Sequence, residues 1–180
     1  CTQNPTIGEE YKRGWHPERY RPAVSATAVL VIGAGPAGLE CAQALGNRGY
    51  EVHLAEATRE LGRRVTRESS LAGLSEWARV RDWRVGQLAK MTNVSIYRES
   101  EMTASDVLDM GMPTVVIATG ANWRQDGFGR SNHKAIPVRP GVRIYTPDDV
   151  MAGTRIEGPV LVFDDDNFYT GGVLAATLKN

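Results

Sequence analysis

The residues best suited to do chemistry lie in "VLVIGAGPAG", residues 29–38. An apolar run stops at Gly33, Gly35 and Gly38, with Pro36 and Ala37 between the last two. Each glycine has its own task in a phosphate cradle. Gly33 permits a tight turn, Gly35 lets an anion approach bare backbone, and Gly38 lets the next helix pack on the strand. The start of that helix offers unpaired N–H groups and about half a positive charge. Glu56 follows 18 residues after Gly38, where an acid can accept hydrogen bonds from both ribose hydroxyls. Its charge repels a 2′-phosphate, so an unphosphorylated adenosine is favoured over NADP. The competing reading is a glycine turn without a ligand. The surrounding elements weigh against it.

Those elements form a strand–turn–helix–strand unit. Residues 28–32 read as a buried strand. Pro36 to Asn47 reads as a helix on the spacing of Ala37, Cys41, Ala44 and Leu45, with Gly49 ending it. "EVHLA", 51–55, is a second strand that carries Glu56 at its end, so the whole has the size of a βαβ unit. "LSEWARVRDWRVGQLAKM", 74–91, reads as an amphipathic helix with Leu74, Trp77, Ala78, Val85 and Leu88 on one face and Ser75 as its cap. "VSIY" at 94–97 and "TVVIATG" at 114–120 are further strands. Short helices are expected at 103–108, capped by Thr103 with Asp106, and at 146–153, with Pro147 in its first turn. Residues 121–143 read as loop. "PVLVF", 159–163, is expected as a strand, and "TGGVLAATL" opens a helix.

The fold class that follows is α/β, a Rossmann-like parallel sheet with flanking helices. The expected division is a wrapping segment at 1–26, a nucleotide-binding domain at 27–120, a connecting region at 121–157 and the truncated start of a second nucleotide-binding-type unit at 158–180. That second unit lacks the glycine pattern. Asp164, Asp165 and Asp166 stand where glycines would follow the strand and would repel a pyrophosphate, which argues against NAD binding there.

The bulk properties narrow the function. The 180 residues carry 21 basic and 21 acidic side chains and no net charge, so there is no long-range field for nucleic acid or an anionic membrane. No apolar stretch approaches the roughly 20 residues that span a bilayer. Two cysteines make no disulfide framework, which points to a reducing, cytoplasmic compartment. The chain starts at Cys1 and stops soon after a helix begins, so a piece of a longer protein is expected.

Two signatures resemble known flavoproteins. The Pro36-containing glycine loop is commoner in flavoprotein adenine sites than in simple NAD dehydrogenases. "TVVIATG", ending at Thr119 and Gly120, resembles the second signature of the glutathione-reductase-type superfamily, which implies an FAD- or ADP-binding domain. That superfamily usually has a Gly-Gly pair after the ribose acid. Here the match is "ELGRR", so Arg63 replaces the second glycine. A long side chain there either blocks the flavin end of the groove or neutralises the terminal phosphate of a shorter ligand, and both favour ADP over FAD.

"CTQNPTIGEEYKRGWHPERYRP", "VLVIGAGPAGLECA", "LAGLSEWARVRDWR" and "MTASDVL" resemble the carboxy-terminal half of the trimethylamine, dimethylamine and histamine dehydrogenases, with dienoyl-CoA reductase more distant. The resemblance implies a parent protein with an FMN-bearing barrel domain, a [4Fe-4S] cluster and an electron-transferring flavoprotein as partner. It implies ADP in the site described here, with Ala57 and Met102 flanking the adenine, and Cys1 as the last of four cluster ligands. A homo-oligomer is expected as well. The fragment itself is expected to hold no catalytic residue. The alternatives are an FAD-binding segment of an NAD(P)H-dependent enoate reductase and a non-enzymatic nucleotide-binding module.

The remaining candidates read as ordinary structure. Cys41 is expected in the core, His53 on a strand without a partner nearby in sequence, and His16 and His133 on the surface. Trp77 and Trp83 are expected to pack a helix, and Arg79, Arg81 and Arg84 to form a solvated face.

Overall fold

In a computed structural model the described residues are 7–8 and 20–179. Cys1, His16 and most of the expected wrapping segment therefore lie outside them. The described chain divides into two compact units. The first takes in the described residues as far as Val65 together with Ala78–Gly120, and the second takes in Thr66–Trp77 with the described residues from Ala121 on. None of the described helices is long and apolar enough to cross a membrane.

Unit 1 is built on four parallel strands: β1 (Ala28–Ile32), β2 (Glu51–Ala55), β3 (Val94–Tyr97) and β4 (Thr114–Ile117), in the order β3-β2-β1-β4. Val31 pairs in register with Leu54 on one side and Val116 on the other. The chain moves outward from β1 to β2 and β3, then returns to β1's other side with β4. Reversal of strand order at β1 leaves a crevice at the carboxyl ends of the strands, where open α/β sheets bind their ligands.

Helix α1 (Pro36–Arg48) covers one face of the sheet. Its Leu39 and Ala42 join Val29, Val31, Val52 and Leu54 in an apolar core. Cys41 is half-buried against that core, and burial pushes its thiol above the ordinary range. Gly49 ends the helix in the left-handed conformation. A short helix α2 (Arg64–Glu68), not expected from the sequence, follows the loop after β2.

The expected helix over 74–91 divides. Ser75–Trp77 forms a single 3-10 turn, and α3 (Ala78–Leu88) starts after it. The two parts serve different cores. Leu88 is buried with the unit 1 cluster, whereas Trp77 stacks on Tyr169 in unit 2 at 5.9 Å. The arginine expectation fails at Arg84, which is 6% exposed. Arg84 lies one turn before Leu88, on the same inward stripe. Its Nε donates to Glu40 on α1 at 2.7 Å and its Nη1 to the Val80 carbonyl at 2.8 Å, which makes the burial tolerable. Trp83 is half exposed instead of packed, with the Arg84 guanidinium over its ring. His53 has partners after all: the Tyr97 hydroxyl at 3.1 Å and the Glu51 carboxylate at 3.4 Å. These come from strand pairing and same-face alternation.

Helix α4 (Ala104–Asp109) begins with a full capping box of Thr103 and Asp106. In unit 2, α5 (Pro147–Met151) repeats the device with Thr146 and Asp149. Helix α6 (Thr170–Lys179) buries Gly171 and Leu174. The expected strand at 159–163 does not form. No described strand pairs with it, and Leu161 is 94% exposed. A parallel strand needs a neighbour to satisfy its backbone, and local propensity cannot replace one.

Candidate functional site

The three glycines meet three different physical demands. Gly33 has φ +98°, and a Cβ there would lie 2.5 Å from the Ala118 carbonyl oxygen. It is fixed by backbone conformation and by β4 passing beside it. Gly38 is fixed by packing, since a Cβ would collide with the Gly33 carbonyl oxygen. Gly35 is unlike both. Its φ of −70° and ψ of −178° suit any residue, and among the described residues a Cβ would meet only the Arg63 Cβ at 3.9 Å. Among the described residues nothing requires glycine at 35, so the open space beside it fits an outside group that comes close to the backbone.

Gly35 is also the N-cap of α1, and no side chain caps that helix. Its first turn holds Pro36, Ala37 and Gly38 and no acidic residue. Pro36 has no N–H to satisfy, whereas those of Ala37 and Gly38 lie in the first turn, ahead of the intrahelical bonding pattern. Thirteen residues of helix dipole therefore end on donors that no side chain caps. Helices α4 and α5 each spend a threonine and an aspartate on the same position.

Glu56 is buried to 1% exposure at the end of β2. Its Oε2 accepts from the Ala34 N–H at 2.8 Å, and its Oε1 accepts from the Thr58 N–H and Oγ1, both at 2.9 Å. The acid thus ties the glycine turn to the loop after β2. A carboxylate offers about four lone-pair sites, so capacity remains on Oε2. Ala34 and Thr58 were missed by sequence reasoning. A hydroxyl two residues after the acid was the available signal, since it can fold back on the carboxylate.

The loop after β2 closes over the turn. The Gly62 N–H donates to the Ala34 carbonyl at 2.8 Å. Arg63 adopts φ +46°, the conformation a glycine would take more easily. Its Nε lies 3.6 Å from Glu56 Oε1, and its side chain is 37% exposed. The structure thus brings Gly33, Gly35, Gly38, Glu56 and Arg63 together at the ends of β1 and β2. Thr119 lies beside Gly33, 3.1 Å from where a Cβ on it would be. Gly120 has φ +79°, and among the described residues nothing lies within 4 Å of where a Cβ on it would be. Ala57 is exposed and Met102 half-buried in the same unit. Cys1 lies outside the described residues.

In unit 2 the acidic run is engaged with its own backbone. Asp164 Oδ1 accepts from the Asp166 and Asn167 N–H groups at 3.1 Å, and Asp164 fills the space beside Gly171 in the first turn of α6. Asp165 accepts from the Ser131 and Asn132 N–H groups at 2.9 and 2.7 Å, which hold its carboxyl below the ordinary range, Ser131 contributing most. Among the described residues no group of three or more His, Cys, Asp or Glu could hold a metal ion.

The chain is 42% identical to a dimethylamine dehydrogenase from Hyphomicrobium sp. (strain x), covering 97% of this chain and 25% of that protein. The structure of histamine dehydrogenase from Rhizobium sp. 4-9 superposes with a TM-score of 0.92 at 50% identity, covering 99% of this chain and 28% of that one. The 6-hydroxypseudooxynicotine amine oxidase HisD from Pseudomonas geniculata N1 gives a TM-score of 0.90 at 48% identity, covering 99% and 27%. The chain thus spans about a quarter of these relatives' length. The family model for pyridine nucleotide-disulphide oxidoreductases matches residues 27–137, from the strand before the glycine loop to beyond the Thr119–Gly120 signature. Parallel sheet, glycine turn and match coincide, and the chain belongs to the pyridine nucleotide-disulphide oxidoreductase family.

Proposed function

We propose that this chain binds ADP and forms the nucleotide-binding part of an iron–sulfur flavoprotein that oxidises a small amine. The observation that carries the binding is Gly35, a glycine required neither by backbone conformation nor by packing. At the head of an uncapped helix, it leaves bare amide donors for a diphosphate. In this reading the N–H groups of Ala37 and Gly38 face the diphosphate, and Gly33 and Gly38 hold the turn. Glu56 accepts from the ribose with the capacity left on Oε2. Ala57 and Met102 flank the adenine, and Thr119 and Gly120 close the site.

The amine chemistry rests on the likeness to dimethylamine and histamine dehydrogenases. In the parent protein, FMN on a barrel domain supplies the redox chemistry, and Cys1 contributes one thiolate to a [4Fe-4S] cluster. Electrons leave to an electron-transferring flavoprotein. The residues of this chain bind and orient the nucleotide and do not touch the amine. Unit 2 takes no dinucleotide, since its acidic run satisfies the nearby donors internally.

The test is to purify the full-length protein, denature it and identify the released nucleotides by mass. ADP beside FMN is the expected result. FAD in place of ADP overturns the ADP assignment, and release of no adenine nucleotide overturns the site.

A further inference from the structure

Arg63 stands in a conformation that needs an explanation. An L side chain is strained in the left-handed region, and Arg63 sits there at φ +46°, directly after Gly62 at φ +93°. The Gly62 N–H bond to Ala34 locks this stretch to the glycine turn. The side chain that emerges starts at the open face of Gly35, with its Cβ 3.9 Å from where a Cβ on Gly35 would be. Farther along the same side chain, its Nε lies 3.6 Å from Glu56 Oε1. The arginine therefore runs from the diphosphate cradle to the ribose acid.

The contact with Glu56 does not use up the guanidinium. At 3.6 Å it is an ion pair beyond hydrogen-bond length, and Glu56 already takes three hydrogen bonds from Ala34 and Thr58. Among the described residues the Arg63 fork makes no hydrogen bond. A planar fork of N–H groups matches the oxygens of a phosphate bidentately. A terminal phosphate carries about −1.5 to −2 charge at neutral pH. The esterified phosphate inside a dinucleotide carries a single charge, has fewer free oxygens, and must lead its chain past the arginine stem.

We propose that Arg63 sets the length of the nucleotide: it takes the terminal phosphate of ADP and disfavours the esterified phosphate of FAD. This rests on the reading of the glycine loop as an adenine-nucleotide site. Arg63→Gly is a clean variant because glycine adopts this backbone without strain.

The experiment titrates ADP, AMP and FAD by calorimetry into full-length protein stripped of nucleotide, for the wild type, Arg63→Gly and Arg63→Lys. Loss of charge-assisted hydrogen bonds to one phosphate is expected to lower ADP affinity about 10- to 100-fold in Arg63→Gly. AMP affinity, which needs no terminal diphosphate contact, changes less than about threefold, and FAD affinity rises by about tenfold. Arg63→Lys, with charge but no fork, falls between. An unchanged ADP-to-AMP affinity ratio in Arg63→Gly, with ADP still bound, overturns the role of Arg63 and leaves the site standing. A wild type that binds neither ADP nor AMP overturns both; one that carries FAD overturns the role of Arg63 and the ADP assignment and leaves the site standing.

Discussion

At the scale of single residues, the glycine loop separates positions that the fold needs as glycine, Gly33 and Gly38, from Gly35, which the proposed nucleotide would need. Gly38→Ala drives a methyl into the Gly33 carbonyl and forces helix and strand apart. Overpacking of this kind costs about 1–3 kcal/mol or more, so the thermal midpoint of the full-length protein should fall by several degrees. Gly35→Ala sets its methyl in open space at a permissive backbone angle. Its stability without nucleotide should stay within about 1 kcal/mol of wild type, while ADP affinity falls at least about tenfold because the diphosphate loses its close approach. Calorimetric titration and thermal melts on the same samples decide between them; a Gly35→Ala that binds ADP normally removes the main support for the site. The packing demands on Gly33 and Gly38 were legible in their spacing, and that spacing also places Gly35 and Glu56 in the proposed site. The internal work of Glu56 was not legible, because its partners Ala34 and Thr58 meet it only once β1 and β2 are paired.

Among the elements, capped and uncapped helices titrate differently. Hydrogen bonds from Thr103, its side chain first, hold the Asp106 carboxyl below the ordinary range, and those from Thr146, its backbone first, do the same for Asp149. A folded value below the unfolded one of about 3.9 means stabilisation present above that pH and lost as pH falls through the folded value. Acidification below about pH 4 should therefore fray the first turns of α4 and α5. Helix α1 has no acid in its first turn and should keep its amide protection over the same range. Hydrogen exchange at Asp106, Val107, Asp149 and Val150 measures this, with Leu39 and Glu40 as the reference; equal loss in all three helices would contradict it. The caps were readable because Thr-x-x-Asp is a local signal. The break at Trp77 and the burial of Arg84 were not, because each depends on which core the segment serves and on Glu40 arriving from α1. The exposed segment at 159–163 shows the same limit from the other side: β-propensity was present and a pairing strand was not.

For the whole molecule, every residue assigned to the nucleotide falls in unit 1, while the carboxylates of unit 2 occupy their own backbone donors. Ligand binding should therefore be felt unevenly along the chain. ADP at about 100 times its dissociation constant stabilises the bound state by about 2.7 kcal/mol. Its protection should gather at the carboxyl ends of β1, β2 and β4, in residues 33–38, 56–63 and 118–120, because these loops border the crevice and the uncapped first turn of α1. Exchange at 129–132 and 164–171 should not respond, either to ADP or to NAD. At those positions a phosphate would have to displace Asp164 and Asp165 from bonds of 2.7 to 3.1 Å while facing their negative charge. Hydrogen exchange with mass detection on the full-length protein, with and without each nucleotide, reads both units in one experiment. Protection of 164–171 by NAD would mean that the acidic run yields to a phosphate after all, and the division of labour between the two units would have to be redrawn.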